Sequence, residues 1–234
     1  MANVGLRVGI IAVIVLGLGS ILEAPLTDAA QNENQRQPWV HLSIVQVNPA
    51  MVNEFISVQR ELMDRARNGD TPWRTVSRTA VFGDNYRFLI ARPGESLAGF
   101  NDTGEADTEL TSLVNRLEKC IASRKSYAIR ILGDLDNPLP EDEEPGVMVV
   151  NLSKVAPGRD QEYYDLMESD FLPHFNEAEM HHMTGSLALG GEGGYIHLFY
   201  LDNFRNLDQG SPVLQALGPA GAQEINTKLA GIVI

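Results

Sequence analysis

The chain has 234 residues, of which 44% are hydrophobic, and its 31 acidic and 18 basic side chains give a formal net charge of -13. This composition is typical of a folded globular protein and excludes wholesale disorder. The negative charge argues against nucleic acid or an anionic membrane surface as the main partner, because no basic stripe offsets it. Cys120 is the only cysteine, which excludes an intramolecular disulfide and a cysteine zinc cluster.

The N-terminal segment determines the predicted compartment. Arg7 precedes an uncharged, mostly apolar run at residues 8–22, which is shorter than the roughly 20 residues of a full membrane span. Two alternatives remain open: residues 1–30 are a cleaved signal peptide, or they form a hydrophobic helix that stays as a membrane anchor. Both place the folded part on the outer side of the cytoplasmic membrane, periplasmic or secreted, either soluble or anchored by residues 8–22.

The next part of the chain predicts one complete α+β unit. Residues 31–38 are polar and without periodicity, as expected of a tether. Residues 39–133 then alternate between strand and helix patterns in the order β-α-β-β-α-β, which is the order of a ferredoxin-like fold. The predicted elements are a strand at 39–47, a helix from 48 to 68, a hairpin at 75–82 and 86–91, a helix at 110–121 and a strand at 127–132.

A second unit follows an acidic connection. Residues 134–146 hold three prolines and a run of acids, which predicts a solvated linker. Residues 147–234 repeat the first order of elements. The predicted elements are a strand at 147–155, a helix from 157 to about 176 that Pro173 kinks or shortens, a hairpin at 182–189 and 195–201, a helix at 211–229 and a last strand at 232–234.

The two units also share a sequence motif. The stretch VAPGRDQEYY at 155–164 matches VNPAMVNEFI at 47–56, displaced by 108 positions. Proline and glycine fix a strand-to-helix corner, and glutamate near a helix N-terminus favours its positive end. The repeat predicts a tandem of one α+β unit.

The pattern Val-x-Pro-Gly-x-x-x-Glu-Tyr at 155–163 resembles that of the dimeric α+β barrel superfamily. This superfamily includes antibiotic-biosynthesis-monooxygenase-like, NIPSNAP-like and EthD-like domains. The first copy departs from the pattern, with Ala50 at the glycine position. The resemblance covers roughly residues 39–234 and implies that two ferredoxin-like sheets pack face to face into an intrachain barrel. Members include cofactor-free oxygenases, haem-degrading enzymes and chlorite-dismutase-like haem proteins.

The main site hypothesis is a polar pocket inside this barrel. If the apolar face of the first strand packs on its helix, the opposite face lines the barrel and carries His41 and Ser43. Under the same displacement, the second copy adds Asn151 and Ser153. Enclosed polar side chains need a ligand or one another. The alternative is a hydrogen-bond network that is satisfied internally, with bridging water.

Three further histidines are weaker candidates for a haem or metal site: His174, His182 and His197. They have no HxxxH or HxH spacing that would present two imidazoles to one metal ion. No cofactor is therefore predicted, with haem as a minor alternative.

These observations predict an exported or membrane-tethered binding or accessory module. Its partner is a small apolar ligand or a membrane-bound protein complex, and it contacts the membrane itself only through an uncleaved N-terminal segment. The first alternative is a cofactor-free monooxygenase-like enzyme acting on a small organic substrate. The second alternative is a haem-binding barrel.

Overall fold

A computed structural model describes residues 13–17, 38–79, 84–100, 107–140, 143, 145–191 and 193–234. These residues form two compact units. The first half contains Ile14–Ile131 together with Ala188–Gly190, and the second half contains Leu132–Leu187 and Gly191–Ile234.

The first half contains, in its described part, five strands and two α-helices. The strands are antiparallel and follow the order β1-β3-β4-β2-β5 across the sheet. From β2 onwards the chain order is β-α-β-β-α-β, as predicted. The elements are β1 (Val13–Gly17), β2 (Trp39–Val47), α1 (Val52–Arg67), β3 (Thr75–Thr79), β4 (Arg87–Gly94), α2 (Thr108–Cys120) and β5 (Ile121–Ile131).

Only a short part of the predicted N-terminal helix is described. Val13–Gly17 is a strand that pairs with β3, from Val15 opposite Thr79 to Gly17 opposite Ser77. The β-branched valines and isoleucine of these five residues favour a strand, and the N-terminal helix stays a prediction. The remaining residues of 1–30, and residues 31–37 of the tether, lie outside the described residues. No helix in the described part of the chain is long and apolar enough to span a membrane.

Both helices of the first half pack on one face of its sheet. The start of α1 follows a 3-10 turn at Pro49–Met51, and α2 is capped by Asp107, whose side chain accepts a hydrogen bond from the Leu110 amide at 2.5 Å. The shared core contains two residues of β2, one of β4, three of α1 and four of α2, the fourth being Cys120, and it places this face of the sheet under the helices. The other residues are Val45, Val47, Phe88, Phe55, Val58, Leu62, Leu110, Leu113 and Leu117.

The second half has the same order with a shorter sheet. Its three antiparallel strands follow the order β7-β8-β6. The first helix is interrupted by a π-helical turn at Met167–Phe171 and starts again with Pro173 in its first turn, as the missing proline N–H predicts. The elements are β6 (Val147–Ser153), α3 (Asp160–Leu166), α4 (Leu172–Glu177), β7 (His182–Leu189), β8 (Tyr195–Leu201) and α5 (Pro212–Leu229).

Three pairs of corresponding elements in the two halves begin 108 positions apart. Strands β2 and β6 begin at 39 and 147, helices α1 and α3 at 52 and 160, and strands β4 and β8 at 87 and 195. The strand-to-helix corners nevertheless differ. Gly158 has a φ of +79°, which glycine adopts readily, whereas Ala50 in the first copy lies in the 3-10 turn. The two copies of the motif therefore form corners of different backbone conformation, each followed by the equivalent helix.

Two predicted segments differ in the structure. The last strand is reduced to bridges of Val233 with Val155 and Ala230. The start of the predicted linker is not solvated: Leu135 lies in the core of the second half, and Asn137 forms a β-bridge with His182. An apolar residue within the acidic segment thus attaches it to the second half.

Candidate functional site

The predicted site residues of β2 lie on the face of the sheet that packs against helices, not on the opposite face. His41 and Ser43 share a face of β2 with Val45 and Val47, which belong to the helix-packed core. The face assignment was wrong because both faces of this strand are buried: Leu42 is 5% exposed and Val45 is 0% exposed. Alternation alone does not say which apolar face a helix covers.

The same correction applies to β6. Asn151 and Ser153 share a face with Val149, which packs in one core with Tyr163 and Leu166 of α3. Each predicted pair of site residues therefore faces the helices of its own half. That all four line one pocket stays a prediction.

Three basic side chains lie in a row across the first-half sheet, and we call Arg74, Arg92 and His41 the cationic row. The β2–β4 register places His41 directly opposite Arg92. The β3–β4 register pairs Thr75 with Ala91, so Arg74, just before β3, lies opposite Arg92 on its other side. Directly opposed residues in antiparallel strands share a face. The cationic row is therefore on the same face as the helix-packed core.

Phe100 covers part of the cationic row. Its backbone oxygen accepts a hydrogen bond of 2.9 Å from Nη2 of Arg92, and the Arg92 guanidinium carbon lies 5.1 Å from the ring centroid. The His41 ring centroid is 5.8 Å from that of Phe100. A guanidinium at this distance is attracted by the negative face of the ring. The aromatic ring thus covers both an arginine and a histidine.

The electrostatics of the row favour a neutral histidine and an anionic ligand. Burial, and then the cations Arg92 and Arg124, lower the pKa of the His41 imidazole from its ordinary value. At neutral pH this imidazole is uncharged and able to accept a proton. Burial, and then Arg92, also lower the pKa of the Arg74 guanidinium, although arginine keeps its charge. No described carboxylate forms an ion pair with Arg74 or Arg92.

Further polar side chains lie between the cationic row and the helices: Ser43, Ser126 and Gln59. The Ser43 hydroxyl lies 2.9 Å from that of Ser126 on β5. On the buried side of α1, Gln59 is almost fully enclosed, and neither of its amide atoms has a hydrogen-bond partner among the described residues. Buried polar groups of native proteins are normally paired. The space between this sheet and its helices therefore contains unpaired polar atoms among its apolar side chains.

The second half has its own polar row, in which both ring nitrogens of His197 are hydrogen-bonded. Asn151, His197 and Thr184 oppose one another across β6, β8 and β7. Nε2 of His197 lies 2.9 Å from the Tyr163 hydroxyl, and Nδ1 lies 3.2 Å from the Thr184 hydroxyl. Burial lowers the pKa of His197 to about 3, so the imidazole is neutral and serves as donor on one side and acceptor on the other. Asn151 Oδ1 has no described partner.

The position equivalent to the cationic row is filled with core side chains in the second half. The strand registers place His182, Phe199 and Val149 side by side there. Phe175 of α4 covers them, with ring centroids 5.0 Å from His182 and 5.4 Å from Phe199. Where the first half has two arginines and a half-buried histidine, the second half has an aromatic core.

The three histidines proposed as haem or metal ligands do not fit that role. The ring nitrogens of His182 lie 3.0 and 2.9 Å from the carbonyl oxygens of Met180 and Leu135, and both nitrogens of His197 are engaged as described above. His174 is exposed on α4. No group of three or more potential ligands within the described ranges is arranged to hold a metal ion. None of these side chains offers iron an open nitrogen in an enclosed site.

Comparison with known proteins adds similarity of fold. No family model matches the sequence, and no curated protein matches it either. Among solved structures, a candidate monooxygenase from Fusobacterium nucleatum matches with a TM-score of 0.60 at 11% identity, covering 86% of this chain and 89% of that one. An anthrone oxidase-like protein matches with a TM-score of 0.54 at 14% identity, covering 86% and 88%. A chlorite dismutase from Candidatus Nitrospira defluvii matches with a TM-score of 0.50 at 10% identity, covering 79% and 83%.

The class of protein follows from these findings: an α+β protein built from ferredoxin-like units with a polar face under its helices. More particularly, the chain shares its fold with these solved structures of monooxygenase-like and oxidase-like proteins, which is the fold that the motif at 155–163 predicted. At these identities the shared property is the fold.

Proposed function

We propose that the protein is a monooxygenase-like enzyme that oxidises a small aromatic substrate with O2, without a metal or organic cofactor, at the cationic row. The observation that carries this proposal is a neutral imidazole, His41, directly opposite a guanidinium, Arg92, beneath the ring of Phe100. The structural neighbours described as monooxygenase and oxidase proteins favour this alternative over the binding or accessory module.

The row supplies what cofactor-free oxygenation requires. A neutral imidazole is a general base for an acidic C–H or O–H group, and a guanidinium fixed nearby stabilises the anion that forms. When His41 removes the proton, the electron pair left on carbon reduces O2 in single-electron steps, and a C–O bond forms. The peroxide anion takes the proton back from the His41 imidazolium, and the resulting hydroperoxide loses water and leaves a carbonyl group. A methylene group and O2 are thereby converted into a carbonyl group and water.

The proposal is tested by oxygen consumption with anthrone, a three-ring ketone whose methylene group is acidic. With a chelator present and the spontaneous rate subtracted, we expect one O2 consumed per anthrone. His41→Gln is expected to lower kcat by about 100- to 10,000-fold, the usual contribution of a general base. His174→Gln, at an exposed histidine, is the matched control and leaves the rate unchanged. No uptake above the spontaneous rate, or full activity in His41→Gln, refutes the proposal.

A further inference from the structure

We infer that Arg74 binds a carboxylate, so that the enzyme prefers aromatic substrates that carry an acid group over neutral ones such as anthrone, and that each chain has one such site, in its first half. The inference names the substrate class of the site proposed above and rests on that proposed function for its catalytic meaning. Binding of the anion is a separate property and is measured separately.

The first argument is the charge balance around Arg74. The chain has 31 acidic and 18 basic side chains, so carboxylate partners are abundant. Other arginines of the first half use them: Arg65 lies 2.5 Å from Asp107, Arg116 lies 2.8 Å from Glu54, and a further pair joins Arg124 with Glu118. Arg74 is half-buried, and its charged neighbour is another cation, Arg92. Partial burial of two adjacent cations is unfavourable unless an anion joins them.

The second argument is the free edge of the Arg74 guanidinium. Its Nε is buried, and it has no hydrogen-bond partner among the described residues. Nε–H and one terminal N–H of arginine form a parallel pair of donors that matches the two oxygens of a carboxylate. The structure therefore leaves Arg74 with unused donors that suit this ligand.

The third argument is the spacing along the row. Neighbouring strands lie about 4.8 Å apart, so Arg74 and His41, two strands apart, are separated by roughly 10 Å at the backbone. An aromatic ring bearing a carboxylate has a comparable length when hydrogen bonds of about 3 Å are added at its ends. Arg74 then holds the carboxylate, Phe100 packs on the ring, and the reacting atom lies near His41 and Arg92.

The second half explains why there is one site in each chain. At the position equivalent to Arg74 it has His182, and Phe199 and Val149 complete that row. The ring of Phe175 fills the space above them. A carboxylate therefore finds neither a guanidinium nor room at the equivalent place in the second half.

The inference is tested by isothermal titration calorimetry with benzoate and with benzamide, its neutral analogue of similar shape. The intact chain is expected to bind one benzoate, at least tenfold more tightly than benzamide, with affinity that falls as salt is added. Arg74→Gln is expected to lose at least tenfold in benzoate affinity and to bind benzamide unchanged. Arg74→Lys keeps the positive charge without the paired N–H donors of the guanidinium, and its benzoate affinity is expected to fall between those of the original protein and Arg74→Gln.

Arg60→Gln, at an exposed arginine on α1, is the matched control and keeps the benzoate affinity. Far-UV circular dichroism confirms that each variant is folded. Equal binding of benzoate and benzamide, unchanged benzoate affinity in Arg74→Gln, or two benzoates per chain overturns the inference.

The two proposals fail separately. Benzoate binding that depends on Arg74, without any O2 consumption, refutes the oxygenase and leaves the anion site. O2 consumption that depends on His41, with no preference for benzoate, refutes the anion site alone.

Discussion

Removing the ring of Phe175 is the sharpest test of how the two halves differ. The side chain is 0% exposed and contacts the rings of His182 and Phe199. Phe175→Ala removes the buried ring and leaves a cavity, and such a change costs about 3–5 kcal/mol of unfolding free energy. We expect a value in this range, because α4 is tied to the sheet by neighbouring core side chains and cannot collapse into the space.

The assay is urea unfolding followed by far-UV circular dichroism, since Trp39 and Trp73, the only tryptophans, both lie in the first half. The midpoint is expected to fall with an unchanged m value. Benzene should restore part of the lost stability, because an apolar cavity of this kind binds small apolar molecules. Ile234→Ala, at a side chain that is 60% exposed, is the control and changes stability by about 0.5 kcal/mol or less.

The same variant also tests the assignment of function to the first half. Benzoate affinity and kcat/KM are expected to stay within about twofold of the original, as a substitution outside the site implies. A stability loss below about 1 kcal/mol would show that Phe175 does not fill this position. A stable variant that loses benzoate binding would contradict the proposed division between the halves.

Three further predictions concern titration and backbone strain. Burial lowers the pKa of folded His197 to about 3, so the unfolded chain binds the proton first, and the unfolding free energy is expected to fall by up to about 1.4 kcal/mol per pH unit on acidification from pH 6.5. His197→Gln is expected to reduce this dependence on pH. An unchanged dependence contradicts the assignment to His197. Arg92→Gln removes a cation that lowers the pKa of His41, so the acid limb of kcat/KM moves to higher pH, and a limb that stays in place argues against His41 as the base. Gly158→Ala is expected to cost about 1–2 kcal/mol of unfolding free energy because the φ of Gly158 is +79°. Ala50→Gly is expected to cost at most about 1 kcal/mol. Equal losses would contradict the difference between the two strand-to-helix corners.

The order of elements could be predicted because it depends on local patterns. Helical spacing marked α1 and α2, proline marked the break before α4, and the displaced motif revealed the tandem unit. The last strand was over-predicted, since an apolar tripeptide has the composition of a strand, whereas in the structure only Val233 forms bridges. Burial of Leu135 was missed because its acidic neighbours dominate the local pattern.

The site was only partly predictable, for a geometric reason. His41 and Ser43 were chosen from the alternation along β2, but both faces of the strand are apolar elsewhere, so alternation could not assign their face. Arg74 and Arg92 were missed because their relation to His41 exists only in the register of three strands.

The account's central claim is that His41 and its neighbouring arginines promote reaction of a deprotonated aromatic substrate with O2. The most direct measurement is mass spectrometry of the anthrone product after reaction under 18O2 in ordinary water with a chelator. The account predicts one 18O atom in the new carbonyl group, with product formation that falls at least 100-fold in His41→Gln. Oxygen that comes from water, or a yield that does not depend on His41, would contradict it.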